Sequence, residues 1–175
     1  MMRKVGIVGM LFFCLVMPLG ARSLGYSVGF YGQSGFEDVH HANSGVELSL
    51  VYQKSYRPIL NPSFYIRGAF GTDMDGLFVL PYQEIGISVD IFRTINHPFS
   101  FLSSNIIAYD PAISVAYHWK TGQEGQYMTL GISPFKLSQK DFWYEFFAPF
   151  VSFDLDTWTV DTWGINLVRY TYLYK

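Results

Sequence analysis

The sequence predicts an all-β fold, an antiparallel up-and-down transmembrane β-barrel of about eight strands, and three observations carry that expectation. From Leu24 onward apolar and polar residues alternate at period two, with no competing stretch of helical periodicity. The polar members of that alternation are mostly small. Charged residues make up only 15% of the chain, against about 25% in typical soluble domains, while aromatics reach 19%, with 16 Phe and 13 Tyr.

The N-terminus has the form of an export signal. Arg3 and Lys4 precede an apolar run from Val5 to Val16 that is too short to span a bilayer, and Ala21-Arg22-Ser23 supplies the small residues a signal peptidase reads. Cleavage is expected after Ser23, with Ala21 as the alternative, which divides the chain into a signal peptide, 1–23, and an outer-membrane barrel domain, 24–175. Cys14 follows Phe12 and Phe13 inside the apolar run, not a small residue, which speaks against lipidation. It is the single cysteine, so no disulfide staples the mature chain. What remains suits one domain. No later stretch approaches the roughly 20 apolar residues of a transmembrane helix, so a membrane-embedded chain must cross as strands. A net charge of −2 gives no reason to expect nucleic acid as a partner, and Gly-rich phosphate loops and zinc-spaced Cys/His sets are absent.

In chain order the expected strands are 24–31, 45–53, 63–71, 82–92, 112–119, 126–135, 143–153 and 160–174. Val46, Leu48, Leu50 and Tyr52 alternate with Gly45, Glu47 and Ser49 in the second. In the fourth, Ile85, Ile87, Val89 and Ile91 alternate with Glu84, Gly86, Ser88 and Asp90. The fifth sets Ile113, Val115, Tyr117 and Trp119 against Ser114, Ala116 and His118, and the sixth Met128, Leu130 and Ile132 against Thr129, Gly131 and Ser133. The even number suits a bacterial outer-membrane barrel.

Alternation alone fits a soluble β-sandwich equally well, and the polar face separates the two. A sandwich turns that face to water and dresses it with long charged side chains, whereas an eight-stranded barrel must fill a narrow interior. Here the face is Gly86, Ser88, Ser114, Ala116, Gly131 and Ser133. It also carries isolated charges of both signs, Glu47, Arg67, Glu84, Asp90, Glu145 and Arg169, expected to form with His118 a structural charge network across the lumen.

The connections sort by charge. The odd-numbered ones hold Glu37 and Asp38, Asp73 and Asp75, Glu124, and Asp154 and Asp156, with Asp161 where the last strand begins. The even-numbered ones hold Lys54 and Arg57, Arg93, and Lys136 and Lys140, with Lys175 at the C-terminus; Lys120, Asp110 and Asp141 are the exceptions. With both termini periplasmic, the basic end would meet the anionic inner leaflet.

The last strand places Val168, Tyr170, Tyr172 and Tyr174 on one face. This resembles the terminal strand that assembly machinery recognises in outer-membrane barrels. Turning the aromatic face to lipid puts Arg169 inside, which avoids about 2–4 kcal/mol for an arginine at the bilayer midplane; counted by twos, Asn166 then faces outward. Signal, alternating strands and aromatic terminal strand together resemble the small eight-stranded barrels of the OmpA, OmpX and OmpW type, as an architecture. The resemblance implies a monomer in the bacterial outer membrane whose partners are membrane lipid and the barrel-assembly machinery.

Two segments sit badly in this scheme. Pro149, within the seventh strand, removes a ladder hydrogen bond that lipid cannot replace, so a bulge or an early strand end is needed there. The segment Thr94–Pro111 is long for a periplasmic turn and either extends the fifth strand or forms one of its own.

Candidate chemistry is thin. His118 shares a face with Ser114, but four residues along a strand is about 13 Å, too far for a direct hydrogen bond, and the lipid-deacylase pattern of a His two residues before a Ser is absent. His40-His41 with Glu37 and Asp38, and Asp154, Asp156 and Asp161, read as polar and acidic loops, so neither metal nor cofactor is expected. Trp119, Trp143, Trp158 and Trp163 read as interface anchors. The expectation is a non-enzymatic outer-membrane barrel, structural or surface-exposed or passing small apolar molecules in a porin-like way. The alternatives are a soluble periplasmic or secreted β-sandwich or lipocalin-like binder, and a barrel-embedded acyl hydrolase or transferase acting on lipid.

Overall fold

The computed structural model describes residues 23–36, 42–53, 59–95, 108–120, 125–139 and 141–174. The expected signal peptide lies outside these except for Ser23, as do Glu37, Asp38, His40, His41, Lys54, Arg57, Glu124, Lys140 and Lys175.

The alternating segments form strands β1 (Ser23–Gly35), β2 (Asn43–Gln53), β3 (Ile59–Asp73), β4 (Phe78–Val79), β5 (Gln83–Phe92), β6 (Ala108–Tyr109), β7 (Ala112–Trp119), β8 (Tyr127–Ser133), β9 (Phe135–Ser138), β10 (Phe142–Asp154) and β11 (Val160–Tyr174). They build eight staves, because β6 continues β7, β9 continues β8, and β4 only edges the end of β3. Sequence neighbours pair antiparallel around the sheet, and β11 pairs with both β10 and β1, which closes the barrel. The fold class and the strand count are those the alternation predicts. The described end of the Thr94–Pro111 segment extends the fifth stave: Tyr109 bridges Thr94 on one side and pairs Leu137 on the other.

The sorting of side chains is inverted relative to a protein that folds in water. Glu47, Glu84, Lys136, Glu145 and Arg169 are buried together with Ser27, Ser49, Ser63, Ser133 and Ser152. The exposed set is apolar, and Leu48, Leu50, Ile87, Ile113, Val115 and Leu130 all point outward. Small residues inside make room for large ones. A Cβ on Gly86 would stand 2.5 Å from the ring of Tyr65, so this glycine is what allows the tyrosine to lie across the lumen.

The two halves of the wall differ. β1, β2 and β3 pair in unbroken register. In β10, Trp143 and Glu145 point inward below Phe147, but Ala148 and Ser152 do so above it. Phe147 itself is exposed and has φ +49°. The neighbouring staves switch at the same level, with Arg169 and Thr171 inward below Leu167 but Asn166 and Thr162 above it, and Lys136 inward on one side of Pro134 and Ser133 on the other. This kink across three staves is a set of matching β-bulges. It is absorbed at its edges, where the β1–β11 register slips between Phe30 and Tyr31 and the β6–β9 register is offset by one from that of β7–β8.

Three expectations are corrected by the kink and its surroundings. Asn166 faces inward and is buried, because the bulge at Leu167 reverses the count by twos. Lys136 is no loop residue but a lumen residue of β9, because the alternation resumes beyond Pro134 in opposite phase. Trp143 is buried inside, sharing the phase of Glu145, and is not an interface anchor. Pro149 is accommodated by the bulge and the strand runs on to Asp154. It pairs with Ile165 of β11, but toward β8 and β9 no rung joins β10 between Phe146↔Phe135 and Phe150↔Gly131.

Candidate functional site

The centre of the lumen is an ionic cluster drawn from five staves: Glu47 of β2, Arg67 of β3, Glu84 of β5, Glu145 of β10 and Arg169 of β11. Arg169 Nε donates to Glu47 and its Nη1 donates to Glu145 Oε2 at 2.5 Å. Arg67 Nη1 lies 2.8 Å from Glu84 Oε1 and 3.7 Å from Glu47 Oε2, with the guanidinium 4.4 Å from the centre of the Tyr65 ring. The Tyr82 hydroxyl donates to Glu47 Oε2 at 3.2 Å. With its amide oxygen turned to Arg169, Asn166 accepts from Nη2 at 2.7 Å and donates to Glu47 at 3.1 Å. Burial of any one of these ions alone would be prohibitive; tied together, each lies against an opposite charge.

Asp90, expected in the same network, belongs to a separate group nearer the chain termini. Lys136 Nζ donates to Asp90 Oδ1 at 2.5 Å, Asn61 Nδ2 donates to Oδ2 at 3.3 Å, and the ammonium sits 4.3 Å from the Trp143 ring centre. The signal that marks Lys136 is Phe135-Lys136-Leu137-Ser138, a second alternation that resumes past Pro134 in the opposite phase. Asp110 is buried, within 3.7 Å of Arg93 and accepting from Ser138 Oγ at 2.6 Å. At the opposite end Lys120 pairs with Asp161 at 2.6 Å.

His118 also stands apart from the charge cluster. Its Nδ1 shares a 2.7 Å hydrogen bond with Thr129 Oγ1, which in turn lies 2.9 Å from Ser152 Oγ, and its ring stacks on Tyr127 at 5.0 Å. Ser114 is engaged by Tyr65 instead. The His–Thr–Ser chain supplies hydroxyls beside an imidazole, but no carboxylate among the described residues hydrogen-bonds that imidazole to orient it as in acyl-transfer sites. The Asp154 carboxylate accepts the backbone N–H groups of Asp156 at 2.7 Å and Thr157 at 3.2 Å, which makes it a turn-forming side chain. Among the described residues no group of His, Cys, Asp or Glu is arranged to hold a metal.

The cluster divides the lumen. On its loop side is a small cavity of about 20 Å³, bordered by His118, Thr129, Ser152 and Thr162; on its terminal side is another of about 20 Å³, bordered by Ser27, Ser63, Ser88 and Lys136. Tyr65, Arg67 and Arg169 line both.

On the outer surface Tyr170 and Tyr172 of the terminal strand pack among other rings. Tyr170 lies 5.3 Å from Tyr144, Tyr172 5.1 Å from Tyr174, and Tyr26 6.0 Å from both Tyr172 and Tyr174. Val168 shares this face, and Trp158 and Trp163 are exposed toward the loop end.

No family model and no curated protein matches this chain. Among solved structures, the attachment invasion locus protein Ail of Yersinia pestis is similar at 11% identity, over 88% of this chain and 100% of that one, with a TM-score of 0.29. That likeness is too distant to bear on function.

Proposed function

We propose that the chain is an integral protein of a bacterial outer membrane, a monomer whose barrel serves as a structural or surface-exposed component and performs no catalysis. The observation that carries this reading is the inversion of the barrel, with ions and hydroxyls inside and a belt of exposed aliphatic residues outside. An apolar surface of that extent is stable only when covered. The dimensions agree: β2 has 11 residues, which at about 3.4 Å each and a tilt of about 40° rise about 28 Å, against an apolar band of about 25 Å in such barrels. The aromatic cluster of Tyr26, Tyr144, Tyr170, Tyr172 and Tyr174 suits an interfacial girdle and, on the terminal strand, the segment read by the assembly machinery. The cluster across the lumen argues against porin-like conduction, and its polar lining against axial passage of apolar molecules.

Fractionation tests this directly. The protein is expected to stay with carbonate-washed outer membranes and to migrate faster on a detergent gel when unheated than when boiled. Release by carbonate, or purification as a detergent-free monomer, would favour a soluble periplasmic or secreted binder.

A further inference from the structure

The charges of the central cluster do not balance. Glu47, Glu84 and Glu145 bring three carboxyl groups against the two guanidinium groups of Arg67 and Arg169, and each of the five side chains is 10% exposed or less. The other three cations among the described residues each have a carboxylate of their own, Lys136 with Asp90, Arg93 with Asp110 and Lys120 with Asp161. With every glutamate ionised, the closed middle of the barrel would hold one negative charge in excess. A buried charge without a counter-charge is so costly that such a group is held neutral instead.

The contacts single out one of the three carboxyl groups. Glu47 accepts from Arg169 Nε, from the Tyr82 hydroxyl and from the Asn166 amide, and Glu145 accepts from Arg169 Nη1. Arg169 is thereby committed to these two. Glu84 is met only by Arg67 Nη1, 2.8 Å from its Oε1, and that oxygen has no aligned hydrogen bond. Arg67 is itself shared, lying 3.7 Å from Glu47 and donating from Nε to Ser49 Oγ at 3.3 Å. On its other side Glu84 is paired in the ladder with His118. A charge on that imidazole would restore the balance. It would also put a second cation on the Tyr127 ring, which His118 stacks at 5.0 Å and Lys120 Nζ approaches at 4.7 Å.

We propose that the cluster is a proton-binding site, with the proton held on the Glu84 carboxyl group at neutral pH. Three carboxyls, two guanidiniums and one proton then sum to zero. Besides Arg67 and His118, the groups that face Glu84 are Tyr65 and Tyr82, and beyond them Glu47 and Arg169. The cavity on the loop side is bordered by Glu84, Ser114, His118 and Thr129, and its volume of about 20 Å³ has room for one water. On release the O–H bond of Glu84 breaks, its electron pair stays on the carboxylate, and the proton passes to that water. A metal cation is a poorer occupant, since Arg67 and Arg169 line the same space. The plug across the lumen is therefore pH-sensitive, at its tightest while Glu84 is neutral.

The charge count concerns the lumen alone, so it stands or falls apart from the membrane reading. The test is infrared spectroscopy of the full protein, folded at neutral pH in dodecyl maltoside, a detergent without ester carbonyls. A protonated carboxyl group absorbs above the amide I band and a carboxylate does not. The folded wild type is expected to show that absorption at the intensity of a single carboxyl per chain. It should lose it when boiled in dodecyl sulfate at the same pH, because an exposed glutamate is ionised there. E84Q should lack the band while keeping its heat-dependent migration on a gel. Raising the pH from mildly acidic to mildly alkaline should lower the unfolding stability of the wild type relative to E84Q, since the unfolded chain gives up the proton first. Absence of the band from the folded wild type overturns the site, whether or not any variant folds. A band retained in E84Q and lost in E47Q or E145Q, or parallel stability curves for wild type and E84Q, overturns the assignment to Glu84. Loss of the band when sodium chloride replaces choline chloride would make the occupant a metal ion instead.

Discussion

Along β1, β2 and β3 each residue meets its neighbour in unbroken register, and inward and outward positions alternate through Leu24–Tyr31, Glu47–Val51 and Asn61–Gly71. Across β8–β9, β10 and β11 each stave carries one residue out of step, Pro134, Phe147 or Leu167, and the inward phase reverses at that level. Both regions bury polar residues and expose apolar ones, so the inversion is a property of the whole barrel. The unbroken inward phase is a property of one side only. Arg169 joins the two, reaching from the kinked β11 to Glu47 on the regular β2 and to Glu145 on β10.

The largest effect is expected at that junction. Arg169→Met leaves Glu47 and Glu145 buried beside a single remaining guanidinium and should cost about 3–5 kcal/mol in urea unfolding from lipid, a typical loss for one partner of a buried pair. Next is a charge on the regular outer face: Leu50→Arg should cost about 2–4 kcal/mol if that face meets lipid near the midplane, and almost nothing if it meets water. On the kinked side the sign reverses. Pro149→Val returns a backbone N–H to β10 and should raise stability by about 0.5–1.5 kcal/mol, whereas Leu48→Pro in the continuous ladder of β2 should lower it; equal effects in the two places would erase the distinction between the walls. The smallest effect concerns chemistry. His118→Ala should leave the membrane lipid profile unchanged and alter stability only by about 1 kcal/mol, the worth of its hydrogen bond to Thr129; a changed acyl composition would revive the enzymatic alternative.

The same comparison explains what was legible in the sequence. On the regular side the alternation of β2, and on the intact staves that of β5 and β7, gives both strand and facing, because hydrogen bonding and burial agree on one period. On the kinked side the period is locally broken and counting by twos fails: Asn166 is read as outward and Lys136 as a loop residue, yet both are in the lumen. Pro149 marked the trouble in advance, since proline in a central strand demands a bulge. Its partner irregularities at Phe147 and Leu167 left no comparable signal, because in the sequence a phenylalanine at positive φ and a leucine skipped by both ladders look like ordinary strand residues. The charged lumen residues were readable as a set but not as a grouping. Which carboxylate meets which cation depends on the register between staves distant in sequence, and so Asp90 pairs with Lys136 instead of joining the central cluster.

The central claim is that the outer belt faces lipid all the way round, on both kinds of wall. The most direct test is a nitroxide placed in turn at Val28, Leu50, Ile87 and Leu130 in protein within intact outer membranes, with its collisions measured against oxygen and against a water-soluble nickel chelate. High oxygen and low nickel accessibility at all four sites, with the reverse at Asp75 and Asp156, is the result expected. Nickel accessibility at the four belt sites as high as at Asp75 would contradict a membrane-spanning barrel.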